Sequence, residues 1–593
     1  MCRSPQPRLA GLSLYPKTPT LLLYPNGSKD PIDWGNSALR AMQKPSTARS
    51  NKLLSQFKLH LDESLEKTLP PLPEGLTVTD AVSDYLRMFH NNIMGELKKG
   101  FAKNYDKHHY RYIWVMTVWR TIRPATSVVD IHHWAFPLGT FQQPFPLPSP
   151  QCLTVPAMWS DRAKSIMRQA AVQAGLISPT DHHDRLMLIS EPEAAALYCE
   201  RKCEQYRLNH GDRFMICDCG GGTVDLIVFE IEESEGGGEG AESTAKNRKL
   251  KEVTRGHGQS CGSVFLDKNM RELLKTKFSQ HTQEVPEAAL AAMMDEFIDL
   301  IKPNFDGVDE QFLKLPAIPG LDDLTNDSIG LEDGVLCLTA QEIKDLVFEP
   351  VILDILNLIR EQLRQSPRCD AIFLVGGFGT SNYLHQRVDQ EFGRSVGIVA
   401  MPPRAELAVV RGAVYFGLDP KIVTARMSRR TYGLVVMMPF EEGVDPESEK
   451  IVRNDGVWCD NRFSGRFMLF SFPVFRFTVY VKKGETIGIN ECIPKSFFAF
   501  YPNDIYSPLY AYDGPEDSIP RYTTHAAVKK VAEFTIPMPY LPNVKKGERV
   551  DYRTKLYFGL TEIRAEAVIH GKTYVTKCVF DANDEWSRPV VKD

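Results

Sequence analysis

Residues 213–231 read RFMICDCGGGTVDLIVFEI, and the fold turns on this stretch. Two apolar, β-prone runs flank three consecutive glycines, the pattern of strand, tight turn, strand. Without a Cβ, the backbone of Gly220, Gly221 and Gly222 can come close to a ligand, and consecutive N–H groups can cradle phosphate oxygens. Asp218 ends the first strand, where a carboxylate can orient water around Mg²⁺. Thr223 can bond a terminal phosphate through its hydroxyl, and Asp225 can hold a water or metal shell. A plain hairpin turn would account for the glycines, but not for two aspartates and a threonine at fixed distances from them.

Working outward, EPEAAALYCERK upstream reads as a helix beginning near Glu191. Before it, Cys152 to Val155 is a short strand, and Ser160 caps a helix that ends at Gly175. Downstream, Glu232–Lys251 is glycine-rich and charged and reads as a mobile surface loop. A helix over Thr339–Gln365, kinked or split near Pro350, leads directly into the strand AIFLVGG. Helices alternating with buried strands from 150 to 418 predict an α/β domain. Nearer the start, PTLLLYPNG (Pro19–Gly27) is a strand running into a turn, and a helix capped by Thr79 runs to Gly100. Beyond about residue 420 the period becomes two, as in RTKLYFGL and AEAVIHGKTYVTKCVF, which predicts a β-rich C-terminal domain over 419–593.

One segment breaks this order. Ile113–Gln151 is crowded with tryptophan and proline, has no period, and is longer than compact domains ordinarily tolerate as loop. It reads as an irregular insertion foreign to the fold, such as an intron retained in the coding sequence, with a genuine surface loop as the alternative.

Composition narrows the function classes. The 593 residues are 43% hydrophobic and 24% charged, and 70 basic against 75 acidic side chains leave a net charge of −5. That balance argues against a nucleic-acid or membrane-surface binder. The longest uncharged stretch, Ile131–Ser160, carries six prolines and cannot span a bilayer. Twelve cysteines without a CxxC pair make zinc or a disulfide framework improbable and predict a reduced, cytoplasmic protein.

With these residues in view, a resemblance to a known family emerges. DCGGGTVD is similar to the second phosphate motif of the actin, hexokinase and heat shock 70 kDa protein superfamily. SEPEAAALYC and IFLVGGFGTSNYL resemble the motifs on either side of it, and LTVPAMWSDRAK and RTYGLVV look closest to the divergent 12A-like branch of the heat shock 70 kDa protein family. The resemblance implies an actin-like ATPase fold, two lobes of ribonuclease H-like type over 1–418, closing on ATP and Mg²⁺. It also implies chaperone-like ATP hydrolysis in a stress response, with unfolded polypeptide clients as partners.

By the same resemblance, Glu191 orients the attacking water. Asp218, Gly220, Gly221, Gly222, Thr223 and Asp225 bind phosphate and metal, and Gly376 and Gly377 lie under the adenosine. Lys58 falls where the family places a lysine on the γ-phosphate, and reads equally as a solvated surface lysine. Asp299 and Lys302 have the spacing of an adenosine clamp, and also of a generic i,i+3 helix pair. Glu406 is a ribose-side candidate. The family's first phosphate loop has no counterpart here, which leaves a non-catalytic actin-fold scaffold as the alternative function. A small-molecule kinase of the superfamily is a more distant one.

Overall fold

The structure, a computed structural model, describes residues 18–62, 69–101, 110–111, 114–116, 136–137, 151–179, 181, 183–201, 203–233, 248–279, 286–316, 324–436, 440–445, 447, 450–453, 456–459, 476–523, 525–577 and 579–580. The chain divides into two units. One comprises 1–158, 166–248 and 256–420, the other 159–165, 249–255 and 421–593.

The first unit is mixed α/β. Its central sheet runs Ile398–Ala400, Ala371–Val375, Arg213–Cys219, Val224–Glu233, with His257–Gln259 also paired to the last of these. Ala371–Val375 lies parallel to Arg213–Cys219 in a register that sets Val375 beside Asp218. All five residues of Ala371–Val375 are buried, as a strand covered on both faces requires. Phe373 meets Phe214 edge to face at 5.6 Å in that interior. The Glu191–Glu200 helix is buried along its whole length, and Gly412 of the Ala408–Leu418 helix lies against it. A Cβ at Gly412 would fall 1.5 Å from the carbonyl oxygen of Ala194, so only glycine lets these two helices approach so closely.

Several local readings need adjustment. The early helix spans Val78–Phe101, so Thr79 lies inside it. Its cap is Thr77, whose hydroxyl accepts from Asp80 N at 3.1 Å while the Asp80 carboxylate accepts from Thr77 N at 3.0 Å. The helix near Pro350 is split, with Ala340–Ile343 and Glu349–Gln365 joined by a π-turn over Lys344–Phe348. Within the supposed loop after Glu232, Arg248–Glu252 is a strand with Leu250 fully buried, while 234–247 lie outside the described residues. Within Ile113–Gln151, Trp114–Met116 is a strand parallel to Gln151–Val155, which in turn lies parallel to Leu186–Ser190. Phe136–Pro137 pairs with Tyr110–Arg111, and the rest of that segment lies outside the described residues.

The second unit is built on two antiparallel sheets sharing one core. The five-stranded sheet runs Arg476–Val481, Thr431–Val436, Ile505–Tyr512, Val528–Ile536, Val579–Phe580. The four-stranded sheet runs Ile493–Phe500, Arg549–Tyr557, Arg564–Ile569, Lys572–Lys577. Leu434, Leu509 and Phe534 from the first and Val550, Leu556 and Ala567 from the second are buried together. Arg430, 1% exposed, is tolerated in this unit because Asp513 receives its guanidinium in two bonds of 2.7 and 2.9 Å. No helix among the described residues is long and apolar enough to cross a membrane.

Candidate functional site

The Gly220–Gly222 turn joins two strands whose register sets Asp218 directly opposite Asp225. Opposed residues of an antiparallel pair project to the same face, so the two carboxylates, 2% and 1% exposed, lie buried side by side. The main chain supplies the rest of the geometry. Gly220 O accepts from Ser263 N at 3.1 Å, Gly221 O from Val264 N at 2.9 Å, and Gly222 O from Gly262 N at 3.2 Å. These donors are the N–H groups at the start of the Val264–Ser279 helix. In a planar trans peptide the C=O and the following N–H point opposite ways. Tying those three carbonyls to the helix therefore turns the amides of Gly221, Gly222 and Thr223 away from it. None of those three amides is used by a hydrogen bond among the described residues. They form a short row of outward N–H groups, a geometry able to cradle an anion.

Two further glycines make this arrangement fit. A Cβ at Gly262 would lie 2.6 Å from the carbonyl of Gly221. One at Gly376, whose φ is +83°, would lie 2.5 Å from both Asp218 Oδ1 and Cys219 O. Gly376 follows the parallel strand, just past Val375 beside Asp218, and donates to Ala405 O at 3.2 Å, and Gly377 is the cap of a short 3-10 turn. Ligands in parallel α/β sheets bind at such carboxyl ends of strands.

Three other segments close around the cradle. Met158 N donates to Asp225 Oδ1 at 3.1 Å, which orients that carboxylate. Phe57–Leu61 forms a 3-10 turn that sets Leu59 beside Gly222, and Asp62 just after it accepts from Ser260 Oγ at 3.1 Å. Lys58 of this turn reaches Glu191 Oε1 at 2.8 Å. Glu191 is the first residue of a helix capped by Ser190, and its side chain is 4% exposed. The pair brings a cation and a carboxylate together near the glycine turn. Behind the turn, Cys219 is held neutral by its hydrogen bond with Cys217, and burial pushes the Cys261 thiol up as well.

The structure thus gathers Lys58, Glu191, Asp218, Gly220, Gly221, Gly222, Thr223, Asp225, Gly376 and Gly377 in one unit. It does not pair Asp299 with Lys302. Asp299 is exposed on the π-turn Phe297–Ile301, and Lys302 bonds Asp267 at 2.6 Å, on the helix that props the glycine turn. Glu406 is engaged by Arg404 at 2.6 Å. Gly262, Ser260, Asp62 and the Met158 amide are not singled out by the sequence reading. For Ser260 and Gly262 the one signal is the turn QSCGS ahead of the apolar helix VFLDKNMRELL, and Asp62 and Met158 carry none of their own.

No family model matches the chain. It is 26% identical over 488 residues to human heat shock 70 kDa protein 12A, covering 70% of this chain and 68% of that protein. It is 24% identical over 647 aligned positions to human heat shock 70 kDa protein 12B, covering 93% and 83%. It is also similar to the chaperone protein DnaK of Anaplasma marginale, at 27% identity over 287 residues, 45% of this chain and 38% of that one.

Proposed function

We propose that this chain, a divergent relative of the 12A-like heat shock 70 kDa proteins, binds ATP in the pocket around Gly220–Thr223 and couples its hydrolysis to a conformational change. The observation that carries the reading is the glycine turn itself, with three carbonyls committed to one helix and three amides left facing outward. In this reading the amides of Gly221, Gly222 and Thr223 hold the terminal phosphates, the Thr223 hydroxyl adds a donor, and the nucleoside lies on Gly376 and Gly377.

The buried carboxylates Asp218 and Asp225 suit Mg²⁺, which binds through one or two carboxylates, water and phosphate oxygens. Among the described residues no group of three or more His, Cys, Asp or Glu is set to hold a metal alone, so the phosphates would complete the shell. When bound, the ion would neutralise charge on the phosphoryl oxygens. Glu191 orients the attacking water by accepting its proton in a hydrogen bond. Lys58, already 2.8 Å from Glu191, offsets negative charge at the γ-phosphate. The similarity to a protein named as a chaperone supports polypeptide clients for this chain.

The test is calorimetry of ATP with and without Mg²⁺ on the full chain. Asp218→Asn and Gly221→Val should each weaken binding at least about 100-fold while the circular dichroism of the parent is retained. A parent that binds no ATP, or variants that bind like the parent, would overturn the reading. Tight binding without phosphate release would favour the non-catalytic scaffold. The Lys58–Glu191 pair is the observation behind that second reading, since each group satisfies the other without ligand.

A further inference from the structure

The four-stranded sheet of the second unit ends in Ile493–Phe500, an eight-residue strand that pairs on one side only among the described residues. Its burial alternates strictly. Ile493, Phe497 and Ala499 pack against the sandwich core, while Pro494, Ser496, Phe498 and Phe500 face solvent. Phe498 and Phe500 are 40% and 39% exposed and meet edge to face at 5.8 Å. Arg549, opposite Phe500, lays its guanidinium 4.3 Å from the centre of the Phe498 ring.

The same face is basic. Opposite the edge strand stand Arg549, Asp551, Arg553 and Lys555 in turn, and beyond them Glu566 and Arg564. Both acids are engaged, Asp551 by Arg549 at 2.8 Å and Glu566 by Arg564 at 2.6 Å. Glu566 stands across from Lys555 but turns to Arg564, so neither Arg553 nor Lys555 makes an ion pair among the described residues. They lie opposite Ser496 and Pro494, small neighbours that leave the way to the free edge open.

We propose that this edge takes up an extended, acidic polypeptide segment as an added strand, running along Lys495–Phe500. An edge strand presents alternate N–H and C=O groups to one side, which an incoming strand satisfies. Pro494 lacks a donor and limits the added strand at its start. Added side chains would lie next to Phe498 and Phe500 on the outer face, so apolar residues are favoured there. Acidic residues on the same face stand about 10 Å from Arg553 and Lys555, two strand spacings, within reach of long side chains. The inference is independent of the nucleotide pocket, which lies in the other unit.

The experiment is fluorescence anisotropy of the full chain with a labelled nine-residue peptide alternating glutamate with valine and phenylalanine. The acidic peptide should bind, and its lysine counterpart should not. N-methylation of alternate backbone amides along one edge should weaken binding roughly tenfold or more, since several hydrogen bonds are lost. Arg553→Glu combined with Lys555→Glu should weaken it about tenfold and flatten its salt dependence. Phe498→Ser, on the exposed face, should cost about two- to fivefold without unfolding the chain. Equal binding of the lysine peptide or of the N-methylated peptide would overturn the proposal. So would a concentration-dependent dimer abolished by Ser496→Pro, which would make a second copy the occupant. Tighter binding of a single-stranded RNA that displaces the peptide would make the face a nucleic-acid surface, and would also overturn it.

Discussion

Gly262→Ala tests the physical basis of the candidate site more sharply than any change to the glycine motif. The new Cβ would sit 2.6 Å from Gly221 C and O and 2.7 Å from Gly220 O. Ordinary contact begins at 3.4 Å, so the turn would have to retreat by about 0.8 Å. That stretches the bonds from Ser263 N and Val264 N, now 3.1 and 2.9 Å, beyond hydrogen-bonding range. Two bonds lost at about 1 kcal/mol each, or overpacking at 1–3 kcal/mol, give a loss of stability of about 2–3 kcal/mol. The amides of Gly221 and Gly222 move with the turn. Weakened charge-assisted bonds to phosphate should then cost about 1.5–3 kcal/mol, or 10- to 100-fold in ATP affinity. Calorimetry and thermal melting read the two effects on the same preparation. Gly211→Ala is the control. Its φ of +81° makes a side chain costly, yet nothing lies within 4 Å of its Cβ, so it should lower melting without touching affinity. If Gly262→Ala melts earlier but binds ATP like the parent, the coupling between helix and cradle is wrong.

Other consequences can be measured directly. Lys58→Met should cost about 2–4 kcal/mol, because Glu191 is left buried without its cation, and adding Glu191→Gln should recover much of that loss. A double-mutant cycle in which the two losses simply add would deny the pair. Gly412→Ala should lower the melting temperature strongly, since its Cβ falls 1.5 Å from Ala194 O and the helices must separate, and an unchanged melt would contradict the packing. The two hydrogen bonds from Arg387, first among the causes, hold the Glu349 carboxyl below the usual carboxylate range. A depressed folded pKa means that this stabilisation is present above the unfolded pKa and is lost as pH falls through about 4 and below. Acid melts of Glu349→Gln should therefore show a shallower decline there than the parent.

The likeness to the heat shock 70 kDa proteins was legible because it rests on local spacing. DCGGGTVD, SEPEAAALYC and AIFLVGG each carry their chemistry within a few residues, and each fold element around them followed its period. Readings failed where a partner distant in sequence decides the state. Arg248–Glu252 looks like loop because its polar side chains dominate, yet Leu250 gains a buried neighbour in Val423. Trp114–Met116 has no period of its own and becomes a strand only beside Gln151–Leu153. Of the two readings of Asp299 and Lys302, the generic i,i+3 helix pair does not form, because a π-turn at Phe297–Ile301 changes the angular step and Lys302 meets Asp267 instead. The cap lies two residues before Thr79, because Thr77 and Asp80 form the reciprocal pair.

A glycine triplet permits many backbone conformations, and permission is not selection. What selects one here is a set of three donors about forty residues further on, at Gly262, Ser263 and Val264. Each of them holds one carbonyl and so aims the next amide, because the peptide plane links the two rigidly. A helix start needs acceptors for its free N–H groups, and the turn needs its carbonyls fixed, so each element completes the other. Asp267, on that helix, is held in turn by Lys302. The outward row of amides is therefore a property of the turn and the helix start together. If the turn binds phosphate as proposed, a substitution in the helix start that leaves DCGGGTVD untouched should still weaken that binding, and the motif alone should not suffice for it.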